Sequence, residues 1–419
     1  MKPATTPFWW EDSPPAQISI GKLPARADAV VIGSGYTGLQ AALAIARGGR
    51  SVVVLEAGTP GHGCSTRNGG QISTSIKPGL ARLTRAHGAE TARGILAEGV
   101  ASRAYIEDFV RREEIDCAFV PCGRFHAAAT PAAFSALAHL ADGEDITLVP
   151  RDRQREELGT DAYHGGAVFH RHASLDPGRY HAGLLAKVLE AGVQVWPDTP
   201  ALTLDGDGAG ITVVTPRGPV AARDVVLATN GYSGALSPWH RRRIVPVGSY
   251  IIATEPLAPD LMARLFPTGR IASDSRRVVY YFRPSPNGRR VLFGGRTSAG
   301  ETGTAVAAMR LRAAMCAVFP ELAQARITHA WSGYVGFTFD SLVHTDSRDH
   351  IHHAMGYCGS GVGMASYLGW KAGLRVLGLP GGETALMRPA FPTRPLYSGD
   401  PWFLPATVAT YRMLDRLGL

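Results

Sequence analysis

Asp28-Ala-Val-Val-Ile-Gly-Ser-Gly-Tyr-Thr-Gly-Leu-Gln-Ala-Ala-Leu-Ala-Ile-Ala-Arg-Gly-Gly-Arg-Ser-Val-Val-Val-Leu-Glu56 is the stretch that decides the fold. Residues 28–32 are a short apolar run of the kind that fills a buried parallel strand, and residues 51–56 are a second. The Ala/Leu-rich segment between them reads as a helix to about Arg47, stopped by Gly48-Gly49. Strand, turn, helix and strand within about thirty residues make a βαβ unit. Its turn is Gly33-Ser34-Gly35-Tyr36-Thr37-Gly38. Gly33 permits the tight bend, Gly35 lets the backbone approach a pyrophosphate at the helix N-terminus, and Gly38 lets helix and strand pack closely. Glu56 closes the second strand about twenty residues on, where a carboxylate can accept a hydrogen bond from a ribose 2′-OH. The pattern points to a dinucleotide without separating NAD from FAD.

Two further glycine-rich runs separate them. Gly63-Cys64-Ser65-Thr66-Arg67-Asn68-Gly69-Gly70-Gln71 comes just after Glu56, where a plain NAD domain has no use for it. Ser65 and Thr66 offer hydroxyls to phosphates, Arg67 a fixed charge, and Gly69-Gly70 a bare main chain against a flat ring. Gly356-Tyr357-Cys358-Gly359-Ser360-Gly361-Val362-Gly363-Met364 ends one strand and opens a helix. That helix N-terminus is expected to aim N–H groups at an acceptor such as the O2 edge of a flavin.

Around these runs the chain is long enough for two interleaved domains, at 419 residues, 45% of them hydrophobic and 19% charged. Residues 1–26 read as an N-terminal arm. Residues 27–78, 155–240 and 331–385 read as one discontinuous FAD-binding domain of Rossmann-like, glutathione-reductase type. Residues 79–154 and 241–330 read as an inserted α+β substrate domain, and 386–419 as a C-terminal extension. The net charge of +8 is spread out; the one dense run, His240-Arg-Arg-Arg243, has no aromatics interleaved, so no nucleic acid is expected. Cys64, Cys117, Cys122, Cys316 and Cys358 have scattered spacings that suit neither a disulfide framework nor a metal site. No apolar run reaches the roughly 18 residues of a membrane span, and the N-terminus shows no leader-like apolar segment, so a cytoplasmic setting is expected.

In this order the glycine turn, Glu56, Ser65-Thr-Arg-Asn-Gly-Gly-Gln71, Leu175-Asp-Pro177, Ala228-Thr-Asn-Gly231 and Gly359-Ser-Gly-Val-Gly363 resemble the FAD-dependent D-amino-acid-oxidase-like family. Arg67–Gln71, Tyr280-Tyr-Phe-Arg283, Phe319-Pro-Glu-Leu322, Trp331-Ser-Gly333 and Asp415-Arg-Leu-Gly-Leu419 resemble its γ-glutamylputrescine oxidase branch. The resemblance implies non-covalent FAD, contacted also by Ala57, Ala201, Thr229, Asn230 and Gly231. It implies oxidation of a C–N bond of a small amine or amino-acid derivative to an imine, with oxygen reduced to hydrogen peroxide and a γ-glutamylputrescine-like amine favoured. An amine dehydrogenase that passes electrons to a quinone or electron-transfer protein, and a flavin-binding partner protein without turnover, are the alternatives. Tyr281, Arg283, Arg296, Trp331 and His344 are the candidates for facing the flavin: Arg283 as substrate anchor, Arg296 as positive charge for oxygen reduction, His344 as acid or base, Trp331 as cavity wall. The chain departs from the branch at Phe339-Asp-Ser-Leu-Val-His344, which lacks the usual proline. Gly363 stands about where sarcosine oxidases carry a substrate-binding lysine, and is expected to leave room there.

Overall fold

The computed structural model describes residues 2–206, 210–296 and 303–418. The βαβ unit comprises β1 (Arg26–Ile32), α1 (Tyr36–Arg47) and β2 (Val52–Leu55). β1 and β2 pair in parallel, Val30 opposite Val53 and Ile32 opposite Leu55. Alternate residues enter different cores: Ala29, Val31, Val52 and Val54 on the α1 face, Val30, Ile32, Val53 and Leu55 on the other. Burial on both faces is why the two runs are apolar throughout rather than alternating.

Among the described residues the chain forms two eight-stranded sheets and a two-stranded one. The first sheet runs His344–Arg348, Ile351–Met355, Gly218–Leu227, β1, β2, Gln194–Trp196, and the strands Thr203–Gly206 and Ile211–Thr215 extend it from Gly218–Leu227. The helix Gly361–Leu377 lies against α1 at backbone distance. A Cβ on Gly369 would lie 2.8 Å from Thr37 Cα, and one on Gly373 would lie 2.8 Å from Ala41 O. This contact sets the N-termini of the two helices side by side beyond the carboxyl ends of the parallel strands, where doubly wound sheets bind ligands.

The second sheet runs Ile327–Phe337, Val245–Thr254, Val291–Gly295, Tyr280–Pro284, Ile271–Asp274, Arg124–Ala127, Gly166–Phe169, Ile146–Val149. The architecture is therefore an α/β domain on the first sheet with an inserted α+β domain on the second, but three domain boundaries read from the sequence need correction. Gly166–Phe169, placed in the FAD domain by the boundary at 155, pairs with Arg124–Ala127 in the second sheet. Ile327–Phe337 pairs with Val245–Thr254 along its length, so the second sheet continues past 331. The helix Ala89–Arg112, placed in the inserted domain, sends Ala92, Ile95, Ile106 and Phe109 into the core of the first. Apolar periodicity shows that a helix buries a face, not which sheet receives it.

Gly369→Ala is expected to overpack the α1 contact at a cost of roughly 1–3 kcal/mol. Urea unfolding reads this as a lower midpoint, and an unchanged midpoint would disprove the contact.

Candidate active site

A cleft of ≈ 1840 Å³ extends from the N-terminus of α1 between the two sheets to the C-terminal helix Leu404–Leu417. Its dinucleotide end is built from turns that tolerate no side chain. Gly33 has φ +103° and would bring a Cβ to 2.9 Å from Ala228 O; a Cβ on Gly35 would lie 2.8 Å from Ser65 Oγ. Ser65 Oγ accepts the N–H of Tyr36 at 3.0 Å, which fixes the 63–71 loop to the α1 N-terminus. Glu56 Oε2 accepts from Ser34 N at 2.9 Å and Ser34 Oγ at 2.7 Å, and its carboxylate lines the cleft. Ser360 caps the helix Gly361–Leu377 without a side-chain hydrogen bond, so that N-terminus opens to the cleft through Gly359, Ser360, Gly361 and Val362. A dinucleotide fits these features: two helix N-termini, a glycine cradle that a Cβ would fill, and a strand-end carboxylate.

Of the remaining residues expected at the cofactor, Tyr36, Thr37, Ala57, Arg67, Asn68, Gly69, Gln71, Ala201, Thr229 and Asn230 line the cleft. Gly38, Thr66, Gly70, Gly231, Gly363 and Met364 do not. Gly38 faces Gly33 O, and Thr66 is buried with its hydroxyl donating to Gly61 O at 2.8 Å. Gly70, at φ +66°, sits against Leu175 O and Arg283. Gly231 packs on Tyr334 and Gly336, and Met364 lies in the core on the α1 face. A Cβ at Gly363 would meet Ser102 O at 3.3 Å and Ile72 Cγ2 at 3.4 Å, so this position packs against a helix and leaves no room for substrate.

The expected substrate-side residues divide differently. Tyr281 and Arg296 line the cleft: the Tyr281 hydroxyl lies 3.0 Å from Ser249 Oγ, and the Arg296 guanidinium sits 4.2 Å from the Phe337 ring centroid. Arg283, Trp331 and His344 are buried behind the wall. Arg283 Nη1 donates to Leu175 O at 2.8 Å and Gly70 O at 3.2 Å; it is a backbone clamp and not a substrate anchor. Trp331, 1% exposed, donates from Nε1 to Arg67 O at 2.9 Å and is core, not cavity wall. His344 lies within 3.1 Å of both Asp340 oxygens and stacks on Phe391 at 4.2 Å, which rules it out as an acid or base in the cleft. Each was read from a motif whose residues surround the site, and the strand register turned the side chains the other way.

Sequence reasoning missed Lys77, Arg124 and His126, all on the cleft wall. The signal was present: Arg124 and His126 alternate with apolar Phe125 and Ala127, a strand with one polar face. It also missed that the C-terminal extension contributes Phe403, Leu404, Thr407 and Tyr411 to the wall. Asp415 anchors it, accepting from the N–H groups of Arg277 at 2.9 Å and Val278 at 3.1 Å. Burial and the neighbouring Arg124 and Lys77 hold the His126 imidazole down to about 3, so it is neutral at ordinary pH. Burial pushes the Tyr281 phenol up to about 12.

The profile of the DAO family, described as FAD dependent oxidoreductase, matches residues 28–372. The chain belongs to this family. It is an enzyme that binds FAD, an oxidoreductase of the amine and amino-acid class. Probable oxidoreductase OrdL of Rhizobium meliloti is 31% identical over 373 residues, covering 86% of each chain. Gamma-glutamylputrescine oxidoreductase of Escherichia coli is 29% identical over 346 residues, covering 80% of each. Among solved structures, glycine oxidase from Geobacillus kaustophilus superposes with a TM-score of 0.76 at 19% identity, over 89% of this chain and 99% of that one. L-proline dehydrogenase from P. horikoshii gives 0.70 at 18%, over 92% and 99%. These likenesses confirm the fold. Among the described residues no helix is long and apolar enough to cross a membrane.

Gly35→Asp is expected to yield a folded chain without flavin, because its carboxylate would crowd Ser65 and repel an anion at the α1 N-terminus; visible absorbance per chain tests this. Arg283→Leu strips the Gly70 and Leu175 carbonyls of a buried donor and is expected to lower stability by about 1–3 kcal/mol. A selective rise in substrate KM at unchanged stability would instead restore Arg283 as an anchor.

Proposed function

We propose that this enzyme oxidises the C–N bond of a small, extended amine resembling γ-glutamylputrescine, yielding an imine that water hydrolyses, with oxygen as electron acceptor. The likeness to the putrescine-derivative oxidoreductase supports the substrate class, and the observation that carries it is the length of the cleft. Beyond the dinucleotide turns it continues past Gly69, Gln71 and Tyr281 to the far strands of the second sheet, more space than a glycine-sized substrate needs. FAD, when bound, supplies the acceptor for the hydride leaving the carbon next to nitrogen. The chain supplies a water-poor wall and position. Tyr281, fixed by Ser249 and packed near Gly69, keeps its phenol protonated and can donate a hydrogen bond. Tyr281 stays protonated and His126 is too weakly basic to take a proton from an ammonium, so neither deprotonates the substrate, and the amine is expected to bind unprotonated.

The sign of the pH dependence follows. Between about pH 5 and pH 8, kcat/KM is expected to rise about tenfold per unit while the substrate is ammonium, and the limb should move with the substrate's own pKa. His126→Asn should leave that limb in place, and a limb that vanishes with His126 would make it the base.

The thiols on the cleft wall favour non-covalent FAD. Burial pushes Cys64 up to about 11 and also raises Cys358, so both stay protonated and poorly nucleophilic. Acid precipitation is expected to leave the yellow colour in solution; colour in the pellet would contradict this.

The electron acceptor is tested by bleaching the holoenzyme anaerobically with γ-glutamylputrescine, putrescine or sarcosine and then admitting air. Rapid recolouring is expected. Slow recolouring would make the protein a dehydrogenase, and no bleaching with any amine a binding protein. Sarcosine preferred tenfold or more in kcat/KM, about 1.4 kcal/mol, would overturn the extended-amine reading.

A further inference from the structure

One stretch of the cleft wall carries positive charge that nothing in the described chain balances. Arg124 and His126 share the cleft face of the strand Arg124–Ala127, and Phe125 and Ala127 point into the second core. Lys77 comes from the segment that follows the 63–71 loop, and Arg296 from the end of Val291–Gly295. Among the described residues neither Lys77, Arg124 nor Arg296 makes an ion pair. The lining carboxylates are engaged elsewhere: Asp274 with Arg276 and the Tyr280 N–H, Glu56 with Ser34 at the dinucleotide end.

Arg124 is the clearest case. Its guanidinium lies 5.5 Å from the Phe169 ring centroid, and its Nε is buried without any hydrogen-bond partner. After desolvation, neighbouring cations press Lys77 and His126 further toward neutrality: Arg124 and Arg296 act on Lys77, opposed by Cys358, and Arg124 and Lys77 act on His126. Leu137, Leu140 and Ile146 line the same cleft, so the surroundings are apolar. Lys77 is exposed on the cleft wall and Arg124 half-buried, with Arg124 Nε cut off from solvent. A partly buried cation without a counter-ion is costly, and chains keep such an arrangement where a ligand brings the missing anion. The pyrophosphate of a dinucleotide is not that anion, since its cradle is built from α1 and the Gly33–Gly38 turn.

We propose that Lys77 and Arg124 form a subsite for a carboxylate on the end of the substrate remote from the reacting nitrogen. The enzyme is then selective for acidic amines over plain diamines. This rests on the amine-oxidising reading above and replaces Arg283 with residues that face the cleft. Arg124 offers a planar fork suited to a carboxylate, and Lys77 a compact charge beside it.

The test uses holoenzyme and two readouts. In the first, glutarate is titrated and the flavin absorbance followed, which needs no turnover. Saturable binding is expected in the parent, weakened at least tenfold in Arg124→Gln and, separately, in Lys77→Gln, with part regained in Arg124→Lys. In the second, kcat/KM for γ-glutamylputrescine is divided by that for N-butyrylputrescine, which lacks the carboxylate. This ratio should fall at least tenfold in each glutamine variant, mainly through KM. If one variant fails to fold, the other decides. Glutarate that binds parent and variants alike, or does not bind the parent, overturns the subsite. Glutarate behaving as expected while no amine is oxidised sustains the subsite and sinks the proposed reaction. Amines oxidised with an unmoved ratio do the reverse.

Discussion

Three buried donors converge on the main chain of one loop. Trp331 Nε1 holds Arg67 O at 2.9 Å, Trp9 Nε1 holds Asn68 O at 2.9 Å, and Arg283 Nη1 holds Gly70 O at 3.2 Å. Each donor comes from a different part of the chain: the second sheet's outer strand, the N-terminal arm and the second sheet's interior. The loop is held from its back, and its other side, with Ser65, Asn68 and Gly69, faces the cleft. Neutral hydrogen bonds of this kind contribute about 1 kcal/mol each, and a charged donor more. Leaving the Arg67 or Asn68 carbonyl unpaired costs more than the bond contributes, whereas Gly70 O also accepts the Leu175 N–H at 2.9 Å. The clamp therefore ties cofactor-loop geometry to correct assembly of both sheets and the arm. Phe8 and Trp9 belong to the same small core as Trp331, so the first residues of the chain are part of the site's foundation.

A second constraint is the approach of α1 and the helix Gly361–Leu377, which glycines bring to backbone distance. It aligns two helix N-termini, and with them two sources of N–H donors and positive dipole, on one cleft. The Thr37 and Tyr357 hydroxyls, 2.6 Å apart, join the starts of those helices. Asn230 Oδ1 accepts the Gly356 N–H at 2.9 Å and so links the end of the strand Gly218–Leu227 to the second glycine run. The loop hydroxyls and amides thus work mainly on neighbouring backbone, which keeps the cradle rigid before any ligand enters.

The cleft is electrically uneven. The dinucleotide end carries a carboxylate held by a hydroxyl and a backbone N–H, while the far end carries unbalanced cations among apolar side chains. Arginine remains charged there even where burial lowers Arg124 to about 10, but imidazole does not, and His126 is held neutral. Desolvation disfavours charge on both kinds of side chain, and only the far more basic guanidinium keeps its proton against it.

The sequence by itself determined the βαβ unit, the glycine turn, the dinucleotide and the family, because those features are local. An apolar run of strand length, glycines at fixed offsets and a carboxylate at the strand end each act within a few residues of the place they are written. The tertiary structure alone decided which polar side chains face the cleft. Arg283, Trp331 and His344 stand in motifs that surround the site, yet strand register and helix packing turn them toward carbonyls, a core and a carboxylate. Lys77 and Arg124 stand in unremarked segments, yet the second sheet brings their strand and loop to the cleft wall. Side-chain direction in a sheet changes with every residue, and the pairing that fixes it joins segments far apart in the chain, such as Arg124 with Ile271.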